Sequence, residues 1–337
     1  MKIAILGAGW YGCHIGSIML QRGHELTIFE RGDSIFSGAS KKNQNRLHLG
    51  FHYPRNFSTR LQSSEGFCWF KEHYPAFLCE VPNNYYAVAK NKSLLDFETY
   101  LQIMSASGLD YDLEENTCVP LKNLGGVIRV NEMLIRNDLA EKYFNNILSP
   151  YLHLNHSVDF GCRNDLNDFC SNYDYVIDCT WLAANKFTKL EIYFEPCIYF
   201  YYKKLIDVDF SLTVMDGDFF SLYPYKGDLY TLTSVAHTPI SKSKTYVEAL
   251  SDIERLCDKG FVSERRSAFV KLVENYYPEF SAHFKYIGVE FSVKTKIRDE
   301  SAFRGSLLEV DGNYISVFSG KIDTLHVSER QILEVIK

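Results

Sequence analysis

The stretch Gly7-Ala8-Gly9-Trp10-Tyr11-Gly12 decides the fold, and it directly follows the short apolar run of residues 2–6. A run of this length, bounded by glycine, is typical of a buried parallel strand, and residues 11–22 continue as a helix. The first glycine permits the tight turn, the second lets the backbone approach a pyrophosphate, and the third lets the helix pack on the strand. The stretch therefore predicts a dinucleotide at the helix N-terminus, where unpaired N–H groups and the helix dipole favour phosphate.

An acidic residue follows at the distance that such a unit requires. A second apolar run at residues 25–29 ends in Glu30, and a carboxylate about 20 residues after the glycines accepts hydrogen bonds from ribose hydroxyls. The glycine pattern alone is a weak signal, and its alternative is a glycine-rich turn in an ordinary βαβ unit. The strand before it, the helix after it and Glu30 together favour dinucleotide binding.

The segments after this unit carry a family resemblance. Gly16 and Gly23 extend the glycine spacing in the manner of FAD-binding oxidoreductases, although an NAD-linked dehydrogenase shares its first half. Residues 36–54 resemble the second FAD motif of the D-amino-acid oxidase family of flavoproteins. Within them, residues 49–53 are similar to a His-x-Gly-x-Tyr-Tyr stretch of L-2-hydroxyglutarate oxidases in the same superfamily. The cofactor that this resemblance implies is FAD.

Two later segments extend the resemblance. Residues 173–180 are similar to the apolar strand ending in Ala-Thr-Gly that flanks the cofactor in two-dinucleotide-binding flavoproteins, but Trp181 stands where glycine is usual. Glycine normally stands where the backbone must come close to another group, so this tryptophan argues against a close approach of the backbone to the cofactor here. Residues 314–324 resemble the closing motif, in which a helix N-terminus points at the flavin, and Lys321 again replaces a usual glycine. By resemblance, the residues expected to contact FAD are Gly7, Ala8, Gly9, Trp10, Tyr11, Gly12, Glu30, Arg31, Ser37, Gly38, Ala39, Ser40, Asn45, Arg46, Leu47, His48, Val158, Thr180, Trp181, Gly320, Lys321, Ile322 and Asp323.

The resemblance implies an α/β fold in which a Rossmann-like FAD-binding domain carries a second, mostly antiparallel β-sheet substrate domain. The FAD-binding domain is expected to be discontinuous, over residues 1–80, 132–190 and 300–337, and the substrate domain covers 81–131 and 191–299. Residues 132–148 are expected to form the helix that leads into the second cofactor strand.

Several side chains are candidates for contact with substrate. Tyr223 and Tyr225 share one face of a strand by its two-residue period, although sheet core or an exposed edge is the plainer interpretation. Arg304 stands where family members often place a substrate arginine, whose planar fork pairs with a carboxylate or phosphate. Arg298 is its rival, and a surface ion pair is the alternative role. Arg46 is a further candidate for substrate binding.

The catalytic residues expected by position are His52, Tyr53, Lys321 and Arg304. His52 or Tyr53 is expected beside the flavin and facing substrate, while Lys321 and the last helix N-terminus would stabilise the negative charge of reduced flavin. Covalent flavin attachment at His48 has no support beyond position. A metal site on His48 and His52 is disfavoured by Gly50 and by the absence of a nearby glutamate.

The resemblance implies hydride transfer from a small-molecule substrate to flavin N5, with O2 or another acceptor taking the electrons. An amino acid or small amine oxidised at its C–N bond is the first choice. The alternatives are the C–OH bond of a sugar, nucleotide-sugar or hydroxy acid in a bacterial surface-polysaccharide pathway, a non-catalytic dinucleotide-binding protein, and a plain NAD dehydrogenase.

Composition narrows the remaining classes. The chain has 337 residues, of which 46% are hydrophobic, and this excludes wholesale disorder. A net charge of -6 argues against nucleic-acid binding, and no apolar run reaches the roughly 18 residues of a membrane span. Nine cysteines without a Cys-x-x-Cys pair predict reduced thiols, mostly packed as small apolar residues, in a cytoplasmic protein without a metal.

Overall fold

The computed structural model describes residues 1–184, 186–298 and 305–336, so the predicted substrate residue Arg304 lies outside the described residues. In chain order the described strands are β1 (Lys2–Leu6), β2 (Glu25–Phe29), β3 (Arg46–Leu47), β4 (Leu78–Glu80), β5 (Asn84–Ala89), β6 (Asp112–Leu113), β7 (Leu124–Arg129), β8 (Met133–Ile135), β9 (Leu152–His153), β10 (Tyr175–Asp178), β11 (Ile192–Lys204), β12 (Ser211–Met215), β13 (Phe220–Lys226), β14 (Leu229–Ser234), β15 (Phe284–Ile297), β16 (Ser306–Asp311) and β17 (Tyr314–Ser319). The described α-helices are α1 (Trp10–Gln21), α2 (Phe57–His73), α3 (Phe97–Ala106), α4 (Asn137–Leu148), α5 (Arg163–Cys170), α6 (Tyr246–Leu256), α7 (Lys259–Glu274), α8 (Phe280–His283) and α9 (Leu325–Val335). Single 3₁₀ turns lie at Pro75–Phe77, Ser149–Tyr151 and Ile322–Thr324.

A six-stranded sheet has the order β16-β17-β10-β1-β2-β9. Strands β17, β10, β1, β2 and β9 run parallel, and β16 is an antiparallel edge. The central strands are apolar and buried on both faces, as parallel strands covered by helices must be. The carboxyl ends of β1, β2, β10 and β17 therefore lie along one edge, where α/β sheets bind their ligands.

An eight-stranded sheet has the order β15-β11-β14-β13-β12-β5-β7-β6 and is antiparallel except for the β5–β12 pair. Its longest strands, β11 and β15, pair along their whole length. Phe200 on β11 packs edge-on against Phe269 of α7, with ring centroids 5.0 Å apart. Helix α7 thus covers one face of this sheet, which leaves the other face available to meet the rest of the chain.

A three-stranded sheet, β3-β8-β4, corrects one expectation. The sequence predicted a helix from Glu132 to about Leu148. Residues 133–135 instead form the central strand of this sheet, and α4 begins only at Asn137. The strand forms because β8 has neighbours on both sides, and the Ile135 N–H also donates to the Asn45 carbonyl (2.7 Å). Pairing of these residues with β3 and β4 therefore replaces the expected first turn of the helix by a β-strand.

The β1–α1 turn has the close approach that its glycines predict. Gly7 adopts φ +89°, and a Cβ on Gly12 would lie 1.8 Å from the Gly7 carbonyl oxygen. Side chains at these positions would force the helix off the strand, so the turn requires glycine at both.

The nine thiols are unpaired, and four of them are exposed: Cys68, Cys79, Cys118 and Cys162. The prediction that most cysteines pack as small apolar residues is therefore wrong, because only Cys13, Cys170 and Cys197 are buried.

Among the described residues, each helix is too short or too polar to serve as a bilayer span.

Helix α2 rests directly on the 3₁₀ turn Ile322–Thr324. The contact runs through Gly66, where an added Cβ would lie 1.5 Å from the Asp323 carbonyl oxygen. Because that atom belongs to the backbone, the two elements approach only as closely as a glycine allows. The position of the turn, and of Lys321 just before it, depends on this contact.

We predict that Gly66→Ala destabilises the protein. Alanine gains about 1 kcal/mol of helix propensity, but separating the helix from the turn is expected to cost about 3 kcal/mol, a net loss of about 2 kcal/mol. Denaturant unfolding measures the change. Gly288→Ala is the matched control, since a Cβ there meets nothing within 4 Å. A Gly66→Ala protein as stable as the parent would contradict the prediction.

Candidate active site

Glu30 holds the turn that carries the glycine pattern. Its buried carboxylate accepts the N–H of Ala8 (2.7 Å) and the N–H of Gly32 (2.8 Å). The acidic residue at the end of β2 thus lies within hydrogen-bond distance of the turn that follows β1. A ribose beside this turn would find a carboxylate in reach, as the sequence pattern requires.

The N-terminus of α1 is left without a side-chain cap from Gly9. The Ser40 hydroxyl accepts the N–H of Trp10 (3.0 Å), and a Cβ on Gly9 would lie 2.8 Å from that same hydroxyl. The loop of residues 37–40 therefore lies across the helix N-terminus. Because the first-turn N–H groups and the helix dipole favour an anion, this end of α1 suits a pyrophosphate.

The opening, middle and closing motifs meet at one edge of the six-stranded sheet. The Tyr11 hydroxyl donates to the Lys321 carbonyl (2.6 Å) and lies 2.8 Å from the Ser319 hydroxyl. A Cβ on Gly7 would lie 3.1 Å from the Cys179 carbonyl oxygen. Three stretches that are far apart in the sequence therefore line a shared region.

Trp181, which departs from the family pattern, takes a glycine-like backbone conformation. Its φ is +59°, in the left-handed region, and Leu182 follows with φ +63°. The indole lies 3.3 Å from the position of a Cβ on Gly320, and its Nε1–H is buried without a hydrogen-bond partner among the described residues. This buried donor without a partner, together with a glycine at the α1 N-cap that offers no side-chain acceptor, fits a bound dinucleotide, so the described residues are compatible with FAD.

Arg46 is buried and bonded within the protein. Its guanidinium donates to the hydroxyls of Tyr86 (2.9 Å), Thr213 (2.9 Å) and Ser221 (2.8 Å), and it lies 3.8 Å from the centre of the Tyr223 ring. Its Nε is a further buried donor without a hydrogen-bond partner among the described residues. The arginine expected to contact cofactor and substrate thus links β3 to the eight-stranded sheet.

Glu132 is the buried carboxylate beside Arg46. It accepts the Leu49 N–H (2.8 Å) and the Tyr86 hydroxyl (2.7 Å), and it lies 3.9 Å from the Arg46 guanidinium. Burial opposes its negative charge, but His48, Arg46 and Tyr86 outweigh burial and lower the pKa of Glu132 to about 2. The carboxylate is therefore ionised throughout the neutral range.

Two histidines and a tyrosine lie next to this carboxylate. The Nδ1 of His48 is 3.5 Å from Glu132, and its ring centre is 5.4 Å from that of His52 and 5.7 Å from that of Tyr53. Burial lowers the pKa of His48 and lowers the pKa of His52 further, because cationic and imidazole neighbours add to the effect of burial. Both imidazoles are neutral at pH 7.

Lys321 completes this group from the closing motif. Its buried ammonium lies 2.8 Å from the Asp323 carboxylate, bonds to the Ser63 hydroxyl, and sits 3.9 Å from the centre of the Tyr53 ring. Burial opposes the charge, but Asp323 and Tyr53 outweigh it and raise the pKa of Lys321. The structure therefore brings His48, His52, Tyr53 and Lys321 together, and we call these four residues the His48–Lys321 cluster.

Other predicted residues lie apart from this cluster. Arg31 is exposed and donates to the Tyr246 hydroxyl (2.6 Å). Val158 is partly buried in the apolar cluster beside Phe29. Tyr223 is fully buried under Arg46, and Tyr225 donates to the Lys41 carbonyl (3.3 Å).

Sequence reasoning missed two residues that organise the site, Glu132 and Asn137. The Asn137 side chain accepts the indole N–H of Trp10 (2.7 Å) and donates to the Ser40 carbonyl (2.6 Å). Both residues act across long sequence separations, so no spacing rule could have identified them. Across the described ranges, no three His, Cys, Asp or Glu side chains are grouped to hold a metal ion.

Comparison with known proteins defines the relatives of the chain. No family model matches it. The FAD-dependent monooxygenase FPY4 of Fusarium mangiferae is 36% identical over 342 residues, covering 99% of this chain and 91% of that protein. Glycine oxidase from Geobacillus kaustophilus has a TM-score of 0.70 at 15% identity, covering 99% of this chain and 93% of that one. L-alpha-glycerophosphate oxidase from Mycoplasma pneumoniae, solved with FAD bound, has a TM-score of 0.70 at 12% identity, with coverage of 99% and 93%.

The fold is like that of glycine oxidase and its neighbours in the D-amino-acid oxidase group, so the predicted α/β fold class is confirmed, and the relative at 36% identity shows the class of protein to be a FAD-dependent oxidoreductase. Within that class, the chain belongs to the family of FAD-dependent monooxygenases represented by the Fusarium protein. The predictions that it is an enzyme and that FAD is its cofactor are therefore confirmed, and the non-catalytic alternative is set aside.

We predict that Glu132 makes stability depend on acid pH. Because its folded pKa of about 2 lies below the ordinary value of about 4.3, its ionised form contributes stability above about pH 4.3. That contribution is lost as the pH falls towards about 2. Glu132→Gln is expected to lower the free energy of unfolding by about 3 kcal/mol at pH 7 and by less at pH 3.

The matched control is Asp138→Asn. The pKa of Asp138 is also lowered to about 2, chiefly by a hydrogen bond from Arg136, but this pair is partly exposed. Its loss is expected to cost less than about 1 kcal/mol. Equal losses for the two variants at pH 7, measured by denaturant unfolding, would refute the buried-charge argument.

Proposed function

We propose that this protein oxidises the C–N bond of an amino acid or small amine. The observation that carries the proposal is the His48–Lys321 cluster, in which two neutral imidazoles and a buried lysine lie beside the convergent cofactor motifs. FAD, when bound, supplies the two-electron oxidation by accepting hydride at N5. O2 or another acceptor would then reoxidise the flavin.

The four convergent motifs support a specific set of cofactor contacts. The turn Gly7–Gly12 and Ser40 would hold the pyrophosphate, Glu30 the ribose, and Val158 the adenine. Thr180 and Trp181 would line the middle, and the Gly320–Asp323 segment would meet the flavin pyrimidine. The six-stranded sheet draws its strands from segments 1–80, 132–190 and 300–337, and the eight-stranded sheet draws its strands from 81–131 and 191–299. This division supports the two proposed domains.

The neutral histidines give the site a proton acceptor. An amine is an ammonium at neutral pH and must lose a proton before its carbon can give up hydride. A neutral imidazole in the cluster can accept that proton, and the resulting imine hydrolyses in water. Arg304 and Tyr225 remain proposed substrate contacts. Arg46 and Tyr223 are bonded or packed within the protein, so we propose for them a supporting role.

A hydroxyl substrate is the second candidate. A C–OH group must also lose its O–H proton, so the same neutral imidazoles favour a sugar or hydroxy acid as well. The relatives are named monooxygenases. Insertion of an oxygen atom into an amine or a hydroxyl substrate is therefore a further reaction for which the products should be tested. The unpaired thiols support a reducing compartment, and we propose the cytoplasm.

We predict that amino acids or small amines bleach the visible absorbance of the oxidised flavin under anaerobic conditions. The screen should include hydroxy acids, sugars and nucleotide-sugars, and products should be checked for incorporated oxygen in air. Bleaching by an amine, with release of a carbonyl product, is the expected result. Bleaching by hydroxyl compounds alone would replace the first candidate with the second.

We predict that Lys321→Met lowers the flavin reduction potential. Removing the ammonium takes away a positive charge and leaves the buried Asp323 carboxylate uncompensated, so the electron-rich reduced flavin is less stable. A fall of at least about 30 mV, equal to about 1.4 kcal/mol for two electrons, is expected. Lys204→Met is the control, since this buried lysine pairs with Asp209 in the eight-stranded sheet. An unchanged potential would remove Lys321 from the proposal.

A further inference from the structure

His48 combines a buried partner with an exposed edge. Its Nδ1 is buried and lies 3.5 Å from the Oε2 of Glu132, while 20% of its side chain is exposed. Unlike Nδ1, Nε2 is not among the buried atoms that lack a partner in the described part of the chain. One ring nitrogen therefore faces a fixed carboxylate, while the side chain as a whole keeps an exposed fraction that a ligand can reach.

We propose that His48 is the proton acceptor for the substrate and that Glu132 is the positioning residue that fixes its tautomer. This inference rests on the proposed function and goes further, because the sequence pointed to His52 and Tyr53. The 3.5 Å contact between Nδ1 and Glu132 is not a formed hydrogen bond, but an ionised carboxylate only accepts hydrogen bonds, so its nearness favours the tautomer with the hydrogen on Nδ1. The lone pair is then on Nε2.

The proposed step moves one proton from the substrate nitrogen to His48. An N–H bond of the substrate ammonium breaks, and an Nε2–H bond forms on His48. The electron pair of that N–H bond stays on the substrate nitrogen, where it would assist the oxidation of the adjacent carbon that FAD, when bound, supplies. The imidazolium that results faces the Glu132 carboxylate, which stabilises its charge.

Glu132 is held firmly enough to act as a positioning residue. The Leu49 N–H and the Tyr86 hydroxyl bond to its two oxygens at 2.8 and 2.7 Å. Its side chain is fully buried, and Arg46 lies 3.9 Å away. These contacts keep the carboxylate ionised and leave its charge directed at His48.

His52 is the weaker candidate. The Nδ1 atoms of both histidines are buried without a hydrogen-bond partner among the described residues, but that of His48 lies 3.5 Å from the Glu132 carboxylate. Burial, His48 and Arg46 lower the pKa of His52 well below the ordinary range. His48 is also buried, but Glu132 partly offsets burial, against the opposing effects of Lys321 and Arg46. Tyr53 and Tyr86 are further titratable neighbours of these histidines. Of the two imidazoles, His48 is therefore the better base.

The direct test is nitrogen NMR of the FAD-loaded protein labelled with ¹⁵N-histidine. The signals of His48 are identified by their absence from His48→Gln. We expect the Nδ1–H tautomer in the parent, and a pKa of His48 that falls by about one unit or more in Glu132→Gln. Glu329→Gln is the matched control, since it removes the carboxylate 3.2 Å from His14 and should leave His48 unchanged.

A major Nε2–H tautomer in the parent would overturn the proposal, and so would an unchanged His48 pKa in Glu132→Gln. If Glu132→Gln does not fold, the tautomer of the parent decides alone. With a substrate from the bleaching screen, the acid limb of the flavin reduction rate should move to lower pH in Glu132→Gln, by the same amount as the His48 pKa. A limb that stays in place would refute the proton-acceptor role, whereas the absence of any bleaching substrate would refute the proposed function and leave the measured tautomer standing.

Discussion

The buried guanidinium of Arg46 is the interaction on which the relation between the cofactor motifs and the eight-stranded sheet depends. Its backbone lies in β3, and its side chain donates to hydroxyls on β5, β12 and β13. A charge removed from water is tolerated only when such partners surround it. Arg46 therefore fixes the loop that carries His48 relative to the sheet proposed to face the substrate.

Charge balance follows from that constraint. Glu132 compensates Arg46, and Asp323 compensates Lys321, so one buried pair of opposite charge lies beside the His48–Lys321 cluster and a second includes its lysine. For the histidines between them burial outweighs the nearby Glu132 carboxylate, so their pKa values are lowered and they are neutral. The permanent charges hold the geometry, while the groups able to exchange protons stay uncharged until a ligand arrives.

Features built from residues close together in the sequence could be predicted, whereas features built from distant residues could not. The strand, glycine turn, helix and Glu30 lie within thirty residues, so their spacing alone indicates the dinucleotide unit. The partnership of His48 with Glu132 spans residues brought together only by the β3-β8-β4 sheet, and that sheet also displaced the predicted start of α4. The resemblance located Arg46 near the site, but a motif does not show which partners a long side chain will find.

The left-handed backbone at Trp181 limits which residues can take its place. Any ordinary side chain there would keep a conformational penalty of roughly 1–2 kcal/mol, and a smaller one would also give up the contact between the indole and Gly320. Glycine would relieve the backbone but leave a void beside the closing motif. Every single substitution at this position is therefore expected to cost either backbone strain or packing. Replacement by the glycine that is usual in the D-amino-acid oxidase family would require a second substitution nearby that fills the void.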